Sequence, residues 1–79
     1  MFHLTNLSNL IMTREQLITI DPDILHSTPV FRDTRVPIET LFDYLTTGDT
    51  IYEFLDDFPT VPAELVKQVL DYSKQVMVA

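Results

Sequence analysis

Thr28-Pro29-Val30-Phe31-Arg32-Asp33-Thr34-Arg35-Val36-Pro37 sets a short apolar run between two prolines and breaks it with Arg-Asp-Thr-Arg. A residue that precedes proline is pushed to extended backbone, and Asp and Thr favour turns. The stretch therefore predicts a tight β-hairpin. Val30-Phe31 and Arg35-Val36 are its arms, and Pro37, which has no amide to donate, closes it. Upstream, Leu17-Ile18-Thr19-Ile20 reads as a strand stopped by Asp21-Pro22.

Downstream the apolar period changes to that of helices. Ile38, Leu41, Phe42 and Leu45 share one face, and Gly48 stands where a left-handed C-cap is wanted. Thr50-Ile51-Tyr52-Glu53 is a capping box that opens a second helix, striped by Ile51, Phe54, Leu55 and Phe58 and ended by Pro59. Pro62 suits the first turn of a third helix, with Leu65, Val66, Val69, Leu70, Ser73 and Val76 as its inner face. The fold expected is mainly α with a small N-terminal β-hairpin or sheet. Its three helices follow a trihelical, helix-turn-helix-like plan of homeodomain-like or winged-helix-like type. Residues 1–13 read as a leader, with Leu4, Leu7 and Ile11 at helical spacing among poor helix formers, and residues 14–79 as one domain. Met12-Thr13-Arg14 offers an alternative start.

A chain of 79 residues without cysteine has neither disulfides nor zinc–thiolate sites to rest on, so its fold must come from packing or association. A hydrophobic fraction of 46 % with one glycine argues for a globular chain. Without a membrane-length apolar run or a signal-like N-terminus, the compartment expected is the cytoplasm. Charge is partitioned along the sequence. Residues 37–79 set Lys67 and Lys74 against eight acids, a net −6, while three arginines against four acids leave residues 1–36 at −1. The half that would hold a DNA-reading helix is thus the acidic half. Phosphate binding needs clustered Lys and Arg, and an acidic surface suits a basic protein partner instead.

Arg32 and Arg35 flank the hairpin turn, where two guanidiniums could grip a partner's carboxylates or phosphates. The alternative is structural, with Arg35 pairing to Asp33 or to a helix acid. Asp56 and Asp57 are neighbours on a helix, about 100° apart, so they do not converge on one substrate and fit a solvated face or a partner contact. Lys67 and Lys74 are seven residues apart on the third helix. They would touch phosphates in a DNA-reading domain, or pair with Glu64 and Asp71 along a solvated helix. His3 and His26 lack ligand neighbours at metal spacing, and the lone glycine leaves no phosphate loop or nucleophile elbow. The chain reads as no enzyme and as needing no cofactor or metal.

The order of these pieces resembles a small prokaryotic family, domain of unknown function 433. Its members read Ile-x-x-x-Pro-x-Ile, then Gly-Gly-x-Pro-Val-x-x-Gly-Thr-Arg-(Val/Ile)-Pro, then helices containing Tyr-Pro or Phe-Pro. Here the corresponding residues are Ile20-Asp21-Pro22-Asp23-Ile24 in the first segment, Thr28–Pro37, and Asp57-Phe58-Pro59, spanning roughly Ile18 to Ser73. The resemblance implies the antitoxin of a toxin–antitoxin pair, neutralising a small PIN-like nuclease toxin, with a homodimer expected. The rival is a DNA-binding transcriptional regulator that uses the third helix, with DNA bound only weakly by the chain alone. The third reading is an orphan helix-turn-helix-like domain. No membrane or small-molecule partner is implied. Where the family has glycines, this chain has His26, Ser27 and Asp33, and such glycines usually mark positive φ or close backbone approach. Apolar residues expected at the surface are Phe2, Leu4, Tyr44, Tyr52 and Val78, and the N-terminal strand leaves an unpaired edge.

Overall fold

The structure, a computed structural model, describes residues 13–78. The readings on Phe2, His3, Leu4, Leu7, Ile11 and Met12 lie outside the described residues. The elements are α1 (Arg14–Leu17), β1 (Ile18–Thr19), a 3₁₀ turn (Leu25–Ser27), β2 (Val30–Phe31), α2 (Ile38–Thr46), α3 (Ile51–Asp57) and α4 (Ala63–Val78). The protein is mainly α with a small two-stranded antiparallel sheet near its N-terminus.

One turn of helix replaces the start of the expected first strand. The Thr13 amide and hydroxyl both donate to Gln16 Oε1, at 2.8 and 3.1 Å, which fixes that turn and makes Leu17 its last, buried residue. Only Ile18 and Thr19 remain as strand, paired antiparallel with Phe31 and Val30, and Ile20 lies beyond it.

The hairpin forms, shifted by one residue on its second arm. The Phe31 amide donates to the Val36 carbonyl at 2.9 Å, and Val30 bridges to Pro37, while Arg35 belongs to the bend and not to the arm. The turn is Phe31–Thr34, closed by Thr34 N–H donating to Phe31 O at 3.0 Å. Asp33 occupies its third position with φ 62°, the sign a type II turn requires there. The family's other two glycine positions behave alike. Leu25, His26 and Ser27 have φ of 49°, 56° and 70°, so this 3₁₀ turn winds left-handed. Two backbone bonds hold it, Ser27 N–H on Ile24 O and Thr28 N–H on Leu25 O, both at 3.1 Å.

Asp33→Gly is expected to be nearly neutral in a thermal melt. It relieves about 1 kcal/mol of left-handed strain but adds unfolded-chain entropy of about 0.4–1 kcal/mol. Asp33→Val is expected to melt lower, by about 1–2 kcal/mol, because a β-branched side chain bears the upper part of the left-handed penalty. Equal melting of the valine variant and the parent would contradict this.

The helices stop and start where their sequence signals stand. Gly48, at φ 92°, follows α2, with Gly48 N–H on Leu45 O at 3.3 Å and Asp49 N–H on Tyr44 O at 2.9 Å, the two bonds of a Schellman motif. Thr50 then caps α3, its Oγ1 accepting from Glu53 N–H at 3.1 Å while Glu53 Oε1 accepts from Thr50 N–H at 2.7 Å. The core draws on nearly every element, with Leu17, Val30, Phe31, Leu41, Phe54, Val61, Val66 and Val69 all buried and apolar. Phe54 sits at its centre, its ring centroid 5.7 Å from Phe31, 5.5 Å from Tyr44 and 5.1 Å from Phe58. Tyr44 is therefore half-buried in an aromatic cluster, not the surface residue expected. Val76 is corrected in the opposite sense. The body ends before the last turns of α4, leaving Val76 62 % exposed.

Candidate functional site

Arg32 is committed to the fold. Its amide donates to Leu17 O at 3.0 Å and its guanidinium donates to Gln16 O at 3.2 Å, so it holds the end of α1 against the hairpin turn. Asp33 lies beside it, Oδ2 3.9 Å from Arg32 Nε, on a solvated edge where such a pair contributes little. The Asp33 carboxylate thus faces Arg32 and not Arg35 or the turn amides. Arg35 is exposed and has no hydrogen bond or ion pair among the described residues. The internal pairing weighed for it is absent. Its surroundings are an open, mixed hollow formed with Thr19, Ile24, Asp33, Thr34 and Thr60.

Asp56 and Asp57 do not converge. Asp57 Oδ2 accepts a short hydrogen bond from the Tyr44 hydroxyl, which ties α3 back onto α2, and Asp56 is exposed. That bond is the largest reason the Tyr44 phenol is pushed up to about 12, followed by desolvation and by the charges of Asp57, Asp49 and Glu53. Three acids therefore surround one phenol at the α2–α3 corner, with Tyr52 exposed nearby on α3. The neutral phenol is the favoured form. Its stabilisation is complete below the ordinary value of 10.0 and is lost as pH rises from there towards 12. An ultraviolet tyrosinate titration is expected to show one late step that disappears in Tyr44→Phe. An unchanged titration curve in that variant would refute the assignment.

Lys67 makes the i, i+4 pair with Asp71 at 3.7 Å that a solvated helix predicts, and Lys74 is exposed without an ion pair among the described residues. The two lysines share a helix but form no cluster with Arg32 or Arg35.

One feature escaped the sequence reading. An apolar cleft of about 460 Å³ opens between α1, the Thr28-Pro29 loop, the start of α2 and the middle of α4. Leu17, Ile18, Pro29, Phe42, Val69 and Tyr72 line it, and Arg14 and Glu39 stand at its rim. The legible signal was the apolar series Val69, Tyr72, Val76, which continues along α4 past the end of the core.

Residues 18–73 match the family described as protein of unknown function (DUF433). The uncharacterized protein y4eO of Sinorhizobium fredii (strain NBRC 101917 / NGR234) is 34 % identical over 68 residues, which covers 86 % of this chain and 30 % of that protein. The chain thus spans less than a third of that curated relative. The crystal structure of a DUF433 member protein from Anabaena variabilis ATCC 29413 superposes with a TM-score of 0.64 at 26 % identity, covering 91 % of this chain and 71 % of that one.

Proposed function

The chain belongs to the DUF433 family, a prokaryotic family of unknown function, and on that premise we propose that it is a non-enzymatic protein-interaction module of the antitoxin type. Its partner is a small, basic, PIN-like nuclease, which it neutralises by covering a positively charged surface. The observation that carries this reading is the acidic α2–α3 corner, where Asp43, Asp49, Glu53, Asp56 and Asp57 are all exposed and Asp57, Asp49 and Glu53 lie around the Tyr44 hydroxyl. Residues 37–79 hold a net −6, so their field attracts a cationic partner and repels phosphate backbones. Arg35, exposed at the hairpin turn and without an ion pair among the described residues, supplies a single guanidinium for a partner carboxylate.

The test is neutralisation of any small PIN-like nuclease found encoded beside it. The domain should suppress that enzyme's RNA cleavage, and Asp43→Lys with Asp56→Lys should weaken suppression at least tenfold. Full cleavage in the presence of excess domain would end the antitoxin reading. Duplex DNA should bind the chain alone no tighter than about 10⁻⁵ M at physiological salt. A gel shift showing sub-micromolar, sequence-selective binding would favour the regulator reading, with α4 as its reading helix.

A further inference from the structure

The apolar cleft opens where residues 1–12 join the body. The described residues begin at Thr13, and Arg14, Leu17 and Ile18, which follow it closely, already line the cleft. α1 packs against α4, which forms another wall. Thr13 has extended backbone, φ −82° and ψ 160°, so any helix arriving from residues 1–12 breaks there and does not continue the axis of α1.

The composition of that segment suits an apolar site. Every Asp, Glu, Lys and Arg of the chain lies in residues 14–79, whereas Leu4, Leu7, Leu10 and Ile11 fall before it. At about 100° per residue these four share about 120° of one helix face. Thr5, Asn6, Ser8 and Asn9 all fall on the other side. Such a separation is the pattern of a helix that buries one stripe. The four polar residues are poor helix formers, and so short a helix does not hold by itself in water. It needs a surface to pack on.

We propose that residues 4–11 form a short helix docked in the cleft of their own chain, with Leu4, Leu7 and Ile11 inserted towards Leu17, Phe42 and Tyr72. A cavity of about 150 Å³ takes one benzene-sized group, so a cleft of about 460 Å³ has room for three such side chains. Length agrees as well. A helix over residues 4–11 is about 12 Å long, and the α4 face from Val69 to Val76 about 10 Å. An uncharged occupant buries no ion and is not repelled by the acidic body. The tether decides between occupants, because a segment attached at the rim has an effective concentration that a separate molecule does not reach. The cleft lies on α1, α4 and the start of α2, away from the acidic α2–α3 corner, so this docking holds or fails apart from the antitoxin reading.

The full-length chain is the material for the test, and its lack of cysteine allows pairs to be placed at will. Leu4→Cys, Leu7→Cys or Ile11→Cys is combined either with Ser73→Cys, in the cleft wall, or with Gln75→Cys, exposed and about 200° further round α4. Under mild oxidation the best Ser73 pair should close an intramolecular disulfide about tenfold faster than any Gln75 pair, since docking raises the local concentration on one side of the helix alone. In the cysteine-free chain Leu7→Asp should bare the cleft and raise the fluorescence of an apolar-surface dye, while the body keeps a cooperative melt. Equal closure rates for the Ser73 and Gln75 pairs would overturn the proposal. So would a product that is mainly covalent dimer, which would seat the segment in the cleft of a second copy. A dye signal unchanged by Leu7→Asp would overturn it as well.

Discussion

Phe54→Ala is expected to remove about 3–5 kcal/mol of the domain's stability, the largest loss of any single substitution considered. The ring is fully buried and meets Phe31, Tyr44 and Phe58, so its removal takes contacts from both the hairpin and two helices. Truncating a buried phenylalanine costs about 3–5 kcal/mol. A chain of this size has roughly 4–12 kcal/mol in total, from about 0.05–0.15 kcal/mol per residue. Phe54→Leu keeps most of the volume and should cost less than about 1.5 kcal/mol. Urea denaturation of the two variants decides the matter. An alanine variant within about 1 kcal/mol of the parent, no more than a typical point substitution costs, would show that the cluster is not the keystone of the core.

The left-handed turn at Leu25–Ser27 gives the second large effect, in opposite directions for two substitutions. Each of its residues bears a Cβ in a region that disfavours one by about 1–2 kcal/mol. His26→Gly with Ser27→Gly removes that strain twice and returns about 0.4–1 kcal/mol per site as unfolded-chain entropy. A net gain of about 1 kcal/mol is expected. Ser27→Val should lose about 1–2 kcal/mol, as left-handed strain spans roughly 1–3 kcal/mol and branching lies at its upper end. The two variants should therefore melt apart by about 10 °C or more, at roughly 4–8 °C per kcal/mol for a domain of this length. A glycine pair that melts below the parent would contradict the strain account.

Elements with strong local signals were legible in the sequence. The stripes of α2 and α3, the Gly48 stop and the Thr50 start are each dictated by residues within one turn of where they act. Positive φ at Asp33, and at His26 and Ser27, is one of the two things that the family's glycines there mark, the other being close backbone approach. The first strand was misread because α1 has four residues and β1 two, lengths too short to display a period. The signal that could have corrected it, Thr13 with Gln16 three residues on, precedes the β-branched run that suggested a strand. Tyr44 against Asp57, Arg32 against the Gln16 carbonyl, and the cleft itself all depend on which faces meet. One-dimensional spacing carries no such information.

Gly48, Asp49 and Thr50 are the whole distance between one helix's last bond and the next helix's first. Every backbone amide in that corner is assigned to a carbonyl or a side chain. The link accordingly has a fixed count. One added residue would turn α3 by about 100° about its axis, carrying Phe54 out of the core and the acids around Tyr44 out of register. Length drift in such a domain has to be absorbed elsewhere, and the run between Ile20 and Thr28, mostly exposed and joined by local bonds, is the place built to absorb it. A domain with one rigid joint and one adjustable loop can vary in length between Ile20 and Thr28 while keeping its helical corner to the residue.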